Sequence, residues 1–376
     1  MDYKKTLLKY KNHKFISLGK AHKFPDKILY KYFIIIPAIS ENKYLWETLN
    51  SIEKQDKKFK NNLLVIVVVN NVKNDKPEVI SNNDATYKQL VVSDYDFEFI
   101  AIDAYSSKHS LNKKYSGVGV ARKVGMDYCI NYSYQTSLLC SLDADTIINS
   151  DYLDVIEKEY NKYKFQSAVV NFKHQKSKNK KINNAIDEYE KLLKNIANKI
   201  KNSGSPYGYV SMGSTIICSI NAYIAVGGMV AKQATEDFYF LQQLAKYNNI
   251  HQIKNVLVHP SCRVEERVYL GTGYRMTNYL QGNKFNDLYI YNQGFIDLKF
   301  LYDIITNNWN SNPRVIKSLI TEKNLIIWKY LNNNSFIKAL NNIKKNTINK
   351  TQFMNQFHVW FDSFKIYKFL KLYVKN

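Results

Sequence analysis

The stretch that decides the fold reads LLCSLDAD, residues 138–145. Its first five residues form a short apolar run, typical of a strand buried on both faces of a parallel sheet. Two carboxylates follow one residue apart, Asp143 and Asp145. A turn brings such side chains round to one side, where both can reach a single hard cation, Mg²⁺ or Mn²⁺. The alternative is that Asp143 only caps the following turn.

Other apolar runs alternate with helical patterns along the chain. Strands are predicted at 33–37, 63–69 and 97–102, and helices at 41–55, with Ser40 as N-cap, at 117–131 and from Ser150 onwards. Strands that alternate with helices indicate βαβ units. The sequence therefore predicts an α/β fold with a mostly parallel central sheet and helices on both faces. The region beyond about residue 284 is predicted to be helical.

Composition excludes several classes of protein. Hydrophobic residues make up 45% of the 376 residues, enough for a sizeable core. No apolar run approaches the roughly 20 residues that span a bilayer. The four cysteines form no C-x-x-C pair, which indicates neither a disulfide framework nor a zinc site. A cytoplasmic setting is expected, with peripheral contact at the inner face of the membrane left open.

The net charge of +22 is mostly dispersed lysine. A charge of this size is compatible with a non-enzymatic protein that binds nucleic acid or an anionic membrane surface. No reading helix or aromatic RNA-binding motif is apparent, so nucleic acid is not the expected partner. The five arginines are more informative, because arginine is favoured where a bidentate donor matters.

Five segments occur in an order that is known from one enzyme family. They are IIIPAISENKYLWETLNSI at 34–52, VIVVVNNVKND at 65–75, GVGVARKVGMDYCI at 117–130, DAD at 143–145 and ATEDF at 234–238. Together they resemble glycosyltransferase family 2, whose members have the GT-A fold, over residues 32 to 275. The resemblance implies a lead-in over 1–30, a GT-A catalytic domain over 31–283 and a helical region over 284–376.

The resemblance implies a nucleotide-sugar donor site with a metal ion, Mn²⁺ or Mg²⁺. The residues it assigns to the nucleotide sugar are Pro37, Ala38, Glu41, Asn70, Arg122 and Asp143, and those it assigns to the metal are Asp143 and Asp145. Asn70 stands where the family usually has an aspartate. Its amide oxygen can still accept from a base N–H, so a UDP-sugar is favoured although the preference is weakened. Close helix–sheet packing is an equally good explanation for Gly117, Gly119 and Gly125.

The acidic pair Glu236 and Asp237 is implied to lie on the acceptor side. By resemblance Asp237 is the base of an inverting transfer and Glu236 orients the acceptor or the loop. The alternative is that both stabilise the N-terminus of the helix 235–247, with Thr235 as N-cap. Gly213 and Ser214 resemble an acceptor-side loop in which glycine permits a close backbone approach to the sugar.

The segment 259–276 supplies the remaining candidates. We expect a loop over 263–275 that closes over the diphosphate, with Arg267 as the main cation. The alternative for Arg267 is an ion pair with Glu265 or Glu266. His259 follows a predicted strand and is a candidate metal ligand, although a lone histidine is more often structural.

The sequence thus predicts a metal-dependent, inverting hexosyltransferase. Its acceptor would be a hydroxyl of a growing glycan, a lipid-linked saccharide or a small metabolite. A nucleotidyltransferase of related fold is an alternative, but the segment 38–43 lacks the glycine and arginine that such an enzyme needs. An aromatic stripe near 353–374, flanked by lysines, fits an anionic membrane surface, packing on the catalytic domain or a homo-oligomer contact.

Overall fold

The computed structural model describes residues 2–113, 116–265 and 271–374, and the chain is divided between two units. Unit 1 comprises the residues up to 183 together with 211–277. Unit 2 comprises residues 184–210 and 278 onwards. Each unit is therefore built from two separate segments of the sequence. The domain boundaries at 30 and 283 stay a prediction.

The strands all belong to unit 1, and the helices are distributed over both units. The strands are β1 Lys20–Ala21, β2 Tyr30–Ala38, β3 Leu63–Asn70, β4 Glu98–Ala104, β5 Ser133–Ser141, β6 Ile147–Ile148, β7 Ser167–Phe172, β8 Ile216–Ser219 and β9 His251–His259. The helices up to residue 247 are α1 Tyr3–His13, α2 Leu45–Glu53, α3 Lys57–Lys60, α4 Pro77–Val92, α5 Val118–Cys129, α6 Tyr152–Tyr163, α7 Lys180–Asn202, α8 Ile220–Ala225 and α9 Glu236–Tyr247. The later helices are α10 Thr272–Leu280, α11 Asn292–Asn307, α12 Pro313–Lys323, α13 Leu325–Asn333, α14 Phe336–Lys345, α15 Lys350–Trp360 and α16 Ser363–Leu370. Short 3-10 helices cover Ile130–Tyr132, Gly213–Thr215, Asn286–Leu288 and Lys371–Tyr373.

The described strands of unit 1 form one sheet in the order β1-β4-β3-β2-β5-β8-β7-β9-β6. The long central pairings, β4 with β3, β3 with β2 and β2 with β5, are parallel. Their β-branched side chains are buried because helices cover both faces of the sheet. The predicted α/β fold with a mostly parallel sheet is confirmed.

Helix α5 packs unusually close to the centre of this sheet. A Cβ added at Gly125 would lie 2.6 Å from Ile35 Cγ2 and 3.1 Å from Val68 Cγ2. Any larger residue would push the helix away from β2 and β3. Gly125 therefore serves helix–sheet packing, one of the two roles predicted for it, and it holds α5 over the carboxyl ends of the strands.

Residues 1–30 are more than a lead-in, because they add a helix and an edge strand to unit 1. Tyr10 of α1 donates to Asp127 Oδ1 of α5 at 2.5 Å, and Asp127 also accepts from Tyr223 at 2.7 Å and from Lys123 Nζ at 2.9 Å. Asp127 is fully buried. Its charge is matched by Lys123 and by these hydroxyls, so the network fastens α1 to α5.

The first predicted helix begins later than expected. Its first residue is Leu45, not residue 41, and Ser40 is not its N-cap. Ser40 instead has a φ of 53°, in the left-handed region. The backbone at 39–44 therefore forms a turn beyond the carboxyl end of β2, and this turn carries Glu41.

Unit 2 is helical in the part that the structure describes, as predicted for the region beyond 284. The predicted aromatic stripe is split between two helices, α15 and α16. Phe353, Phe357 and Phe361 of this stripe are fully buried, whereas Trp360 and Phe364 are partly exposed. Most of the stripe is thus packed inside unit 2, and contact with an anionic membrane stays a prediction. None of the described helices combines the length and apolar character needed to cross a membrane.

Candidate active site

The predicted site residues follow three neighbouring strands. β3, β2 and β5 are adjacent and parallel, so their carboxyl ends share one edge of the sheet. Asn70 ends β3, Glu41 follows β2, and Asp143 and Asp145 follow β5. The sheet topology therefore brings these four side chains to the edge where open α/β sheets bind ligands.

Arg122 connects this edge to the acidic pair. It projects from α5 and is almost completely buried. Its Nη1 donates to Ser141 Oγ at 2.6 Å, its Nη2 forms an ion pair with Asp143, and its Nε lies 3.4 Å from Glu236 Oε1. Burial alone would lower the pKa of the guanidinium, but Asp143, Glu236 and Asp237 together raise it. One buried cation thus holds carboxylates from two distant segments of the sequence.

Gly213 and Ser214 lie against Arg122 and Asp143. A Cβ at Gly213 would stand 2.2 Å from Arg122 Nη2, so only glycine leaves room for the guanidinium. Ser214 is fully buried, and its hydroxyl donates to Asp143 and contacts Thr146 Oγ1 at 3.0 Å. The close approach that Gly213 permits is therefore to an arginine of this chain. A role in acceptor contact stays a prediction for both residues.

The acidic pair begins α9 in a strained setting. Thr235 occupies the N-cap position with a φ of 63°, and its side chain makes no capping hydrogen bond. Thr235 is therefore the N-cap residue, as predicted, but its side chain does not cap the helix. A non-glycine residue in this region costs of order 1 kcal/mol or more, and such strain often marks functional segments.

Gly119 of α5 and Gly117, the residue just before α5, lie against the segment that precedes the acidic pair. A Cβ at Gly119 would lie 2.5 Å from the Lys232 carbonyl oxygen, and one at Gly117 would lie 2.6 Å from Gln233 Cα. Gly119 also donates its N–H to the Lys232 carbonyl at 3.2 Å. These two glycines thus allow residues 230–236 to pack closely against the start of α5, and this packing positions the backbone that leads into α9.

The two acidic side chains differ in exposure and share a raised pKa. Burial raises the pKa of Glu236 to about 7, with the Arg122 charge opposing the shift and the Asp237 charge adding to it. Burial also raises the pKa of Asp237, again opposed by Arg122. Glu236 is buried, whereas Asp237 is only partly buried. Asp237 is therefore the member of the pair that a bound molecule could contact.

A second arginine, Arg263, pairs with carboxylates at the donor edge, which is the sheet edge that carries Glu41, Asn70, Asp143 and Asp145. It forms a bidentate ion pair with Glu41, at 2.9 Å from Nη1 and 2.6 Å from Nη2. Its Nε lies 3.0 Å from Asp145 Oδ2 and 2.9 Å from Glu265 Oε2, and its Cζ lies 4.4 Å from the ring centre of Tyr44. Sequence reasoning preferred Arg267 among the arginines of this segment. Arg267 lies outside the described residues, so that expectation stays a prediction.

The end of β3 carries an unsatisfied polar atom. Asn70 is 3% exposed, and its Oδ1 has no hydrogen-bond partner among the described residues. Asn83 of α4, which sequence reasoning missed, donates to the Asn70 carbonyl at 3.0 Å and accepts from Ser40 N at 2.9 Å. Pro37 and Ala38 are buried at the end of β2. A buried acceptor without a partner is costly, and such atoms are often completed by water or a ligand.

The ring of His259 contacts two groups other than the aspartates. Its Nδ1 contacts the Lys173 carbonyl oxygen at 2.9 Å, and its Nε2 contacts Asn149 Oδ1 at 2.9 Å. Both ring nitrogens are engaged, so the arrangement matches the structural role of a lone histidine and does not suit a metal ligand. In the described part of the chain no group of three or more His, Cys, Asp or Glu side chains is arranged to hold a metal ion.

Comparison with known proteins gives similarities of fold. No family model and no curated protein matches the chain. Among solved structures, S. aureus TarS 1–349 in complex with UDP-GlcNAc is 15% identical, with 66% of this chain and 65% of that chain covered and a TM-score of 0.42. The chain thus spans just under two thirds of that structure. A second structure of TarS 1–349, with UDP, is 13% identical over 84% of this chain and 91% of that chain, with a TM-score of 0.44.

A third similar structure is the mannosyltransferase PcManGT from Pyrobaculum calidifontis, in complex with GDP-Man and Mn²⁺. It is 13% identical, with 96% of this chain and 94% of that chain covered and a TM-score of 0.44. Identities and scores of this size say nothing about substrate. The functional proposal below is therefore based on the residues of this chain.

Proposed function

We propose that this protein is a glycosyltransferase that uses a nucleotide-diphosphate sugar, with a UDP-sugar favoured, and transfers the sugar to a hydroxyl group with inversion. The observation that carries the proposal is the buried Arg122, which contacts both Asp143 on the predicted donor side and Glu236 on the predicted acceptor side. Two groups of residues with separate predicted roles are thereby joined in one cluster. A purely structural cap at the start of α9 would not need this connection.

The donor side supports a nucleotide with a hydrogen-bond donor on its base. The Oδ1 atom of Asn70 is buried and lacks a partner, so a base N–H would supply the missing hydrogen bond. Uracil offers such an N–H group. Because the side chain is a neutral amide, the expected preference for uracil is weaker than a carboxylate would give. Glu41 lies at the neighbouring strand end, where the ribose is expected.

The chemistry of Asp143 and Asp145 fits a divalent ion that is shared with the donor. Mg²⁺ and Mn²⁺ prefer carboxylate oxygens and are commonly held by one or two carboxylates together with substrate phosphates. Asp145 would be the main protein ligand and Asp143 the second, and His259 is left out of the proposed set because both of its ring nitrogens contact other groups. When bound, such an ion supplies positive charge that stabilises the departing diphosphate.

Proton transfer and the positioning of the reacting groups would fall to Asp237 and Arg122. Asp237 would accept the proton of the acceptor hydroxyl while the hydroxyl oxygen forms a bond to the anomeric carbon. The bond between that carbon and the diphosphate oxygen breaks, and the electron pair leaves with the nucleoside diphosphate. The raised pKa of Asp237 makes it a better proton acceptor than an exposed aspartate. Arg122 would fix Glu236 and Asp143 on either side of the reacting atoms.

A screen of nucleotide sugars with Mn²⁺ tests the proposal. Thermal stabilisation reports donor binding, and slow donor hydrolysis reports activation of the sugar. Asp145→Asn is expected to abolish Mn²⁺-dependent donor binding, whereas Asp237→Asn is expected to retain binding and lose transfer. Asp154→Asn removes the same charge from the solvent-facing side of α6, where the carboxylate pairs with Lys58 and Lys158, and serves as the control. Normal metal-dependent donor binding by Asp145→Asn would overturn the proposal.

A further inference from the structure

The guanidinium of Arg263 makes polar contacts through all three of its nitrogens. One edge pairs with Glu41, the Nε points between Asp145 and Glu265, and one face lies over Tyr44. Its side chain is only 17% exposed. This is not the loose surface ion pair that arginine commonly forms, because fork-shaped pairing fixes both position and orientation.

We propose that Arg263 is a built-in counter-ion for Asp145, and that a divalent cation binds Asp145 only by displacing the Arg263 Nε. The inference rests on the proposed function, in which Asp145 is the main metal ligand. It goes further by predicting that the cation binds weakly until the nucleotide arrives. The bidentate pair with Glu41 stays in place and keeps the guanidinium close to the donor edge.

The charges around Arg263 indicate why displacement depends on the nucleotide. Among the described contacts Arg263 is shared by three carboxylates, those of Glu41, Asp145 and Glu265, and a divalent cation at Asp145 would add positive charge to this acidic group. The cation would, however, be repelled by the Arg263 guanidinium, which already pairs with Asp145. A diphosphate offers new acceptors to the Nε and new ligands to the cation at the same time. Nucleotide and cation should therefore strengthen each other's binding reciprocally.

The test measures Mn²⁺ binding without any sugar transfer. Free Mn²⁺ is titrated by electron paramagnetic resonance against the full-length protein, with and without UDP. Arg263→Gln should raise the affinity for Mn²⁺ alone by about tenfold or more, since a unit positive charge a few ångströms away repels a divalent ion even in water. UDP should then add less to the Mn²⁺ affinity of the variant than to that of the wild type.

Three matched variants separate this effect from others. Arg314→Gln removes one exposed positive charge from α12 and should leave Mn²⁺ binding unchanged. Arg263→Lys keeps the charge and should give little or no gain. Arg263→Gln combined with Asp145→Asn should lose the gain. Arg263→Met, which preserves apolar contact with Tyr44, replaces the glutamine variant if that variant fails to fold.

The outcomes distinguish failure of this inference from failure of the proposed function. If UDP promotes Mn²⁺ binding to the wild type but neutral Arg263 variants gain nothing, the counter-ion role is refuted and the proposed function stands. An equal gain in Arg263→Lys also refutes it, because loosening of the structure and not charge would be the cause. Tight, micromolar Mn²⁺ binding by the wild type without nucleotide overturns it directly. If neither protein binds Mn²⁺ with or without UDP, the metal role in the proposed function fails as well.

Discussion

Glu236→Gln should make this protein more stable at pH 8 while leaving its stability near pH 4 almost unchanged. Burial raises the pKa of Glu236 from 4.5 to about 7. Because the folded-state value lies above the unfolded one, the protein loses stability as the pH rises through that interval. Glutamine has the same shape, stays neutral at every pH and escapes this loss.

The size of the effect follows from the shift and from the geometry of the ion pair. One pKa unit corresponds to 1.36 kcal/mol, so the shift amounts to about 3 kcal/mol at pH 8. The variant also loses the contact with Arg122, but that contact is long, at 3.4 Å, and Arg122 retains Asp143 and Asp237 as counter-charges. We therefore expect a net stabilisation of about 1–3 kcal/mol at pH 8.

Urea denaturation at pH 8 and near pH 4, followed by circular dichroism, measures the difference. Glu47→Gln removes an exposed carboxylate from α2 and is the matched control, with an expected change within about 0.5 kcal/mol at both pH values. Equal effects of Glu236→Gln at the two pH values, or destabilisation at pH 8, would refute the reasoning. The same variant should lose transfer activity if Glu236 orients the acceptor, which would be a trade of function for stability.

Two further variants test the packing around the site. Gly213→Ala should destabilise unit 1 by about 2–4 kcal/mol. The new Cβ would stand 2.2 Å from Arg122 Nη2, and the guanidinium cannot move without breaking its ion pair with Asp143. A change below about 1 kcal/mol in the free energy of unfolding, measured by urea denaturation, would contradict this packing. Tyr10→Phe should cost about 1–2 kcal/mol and speed hydrogen exchange in α1, since Asp127 would lose a 2.5 Å hydrogen bond. Unchanged exchange in α1 would show that this network does not fasten the helix.

The fold was predictable from the sequence because the central strands are short, continuous apolar runs. The strand ends were predictable for the same reason, since Asn70 and Asp143 immediately follow such runs. The position of α1 was not, because Tyr10 and Asp127 lie 117 residues apart and neither belongs to an apolar pattern. Long-range polar pairs leave no periodic signal in a single sequence.

The arginines illustrate the same limit within the site. Their concentration in 259–276 indicated a role at the donor edge, but no pattern in the sequence distinguishes one of them from the others. That choice depends on which side chain reaches Glu41 and Asp145, and hence on the path of the backbone after β9. The role expected for Gly213 had a similar weakness. Glycine signals a close approach of another group, but not which group approaches, and here it is Arg122.

The division of both units into separate segments has a consequence for synthesis of the chain. Residues 184–210 leave the ribosome before residues 278 onwards, so Tyr189 of α7 has no access to its aromatic partner Phe285 until the 211–277 segment has been made. Strands β8 and β9 of unit 1 emerge in that same interval. Unit 1 cannot be completed until residues 211–277 have been made, and unit 2 cannot be completed until the residues from 278 onwards have been made. Apolar surface of both units stays exposed until then. A truncation from one end can therefore keep both segments of one unit only together with a segment of the other.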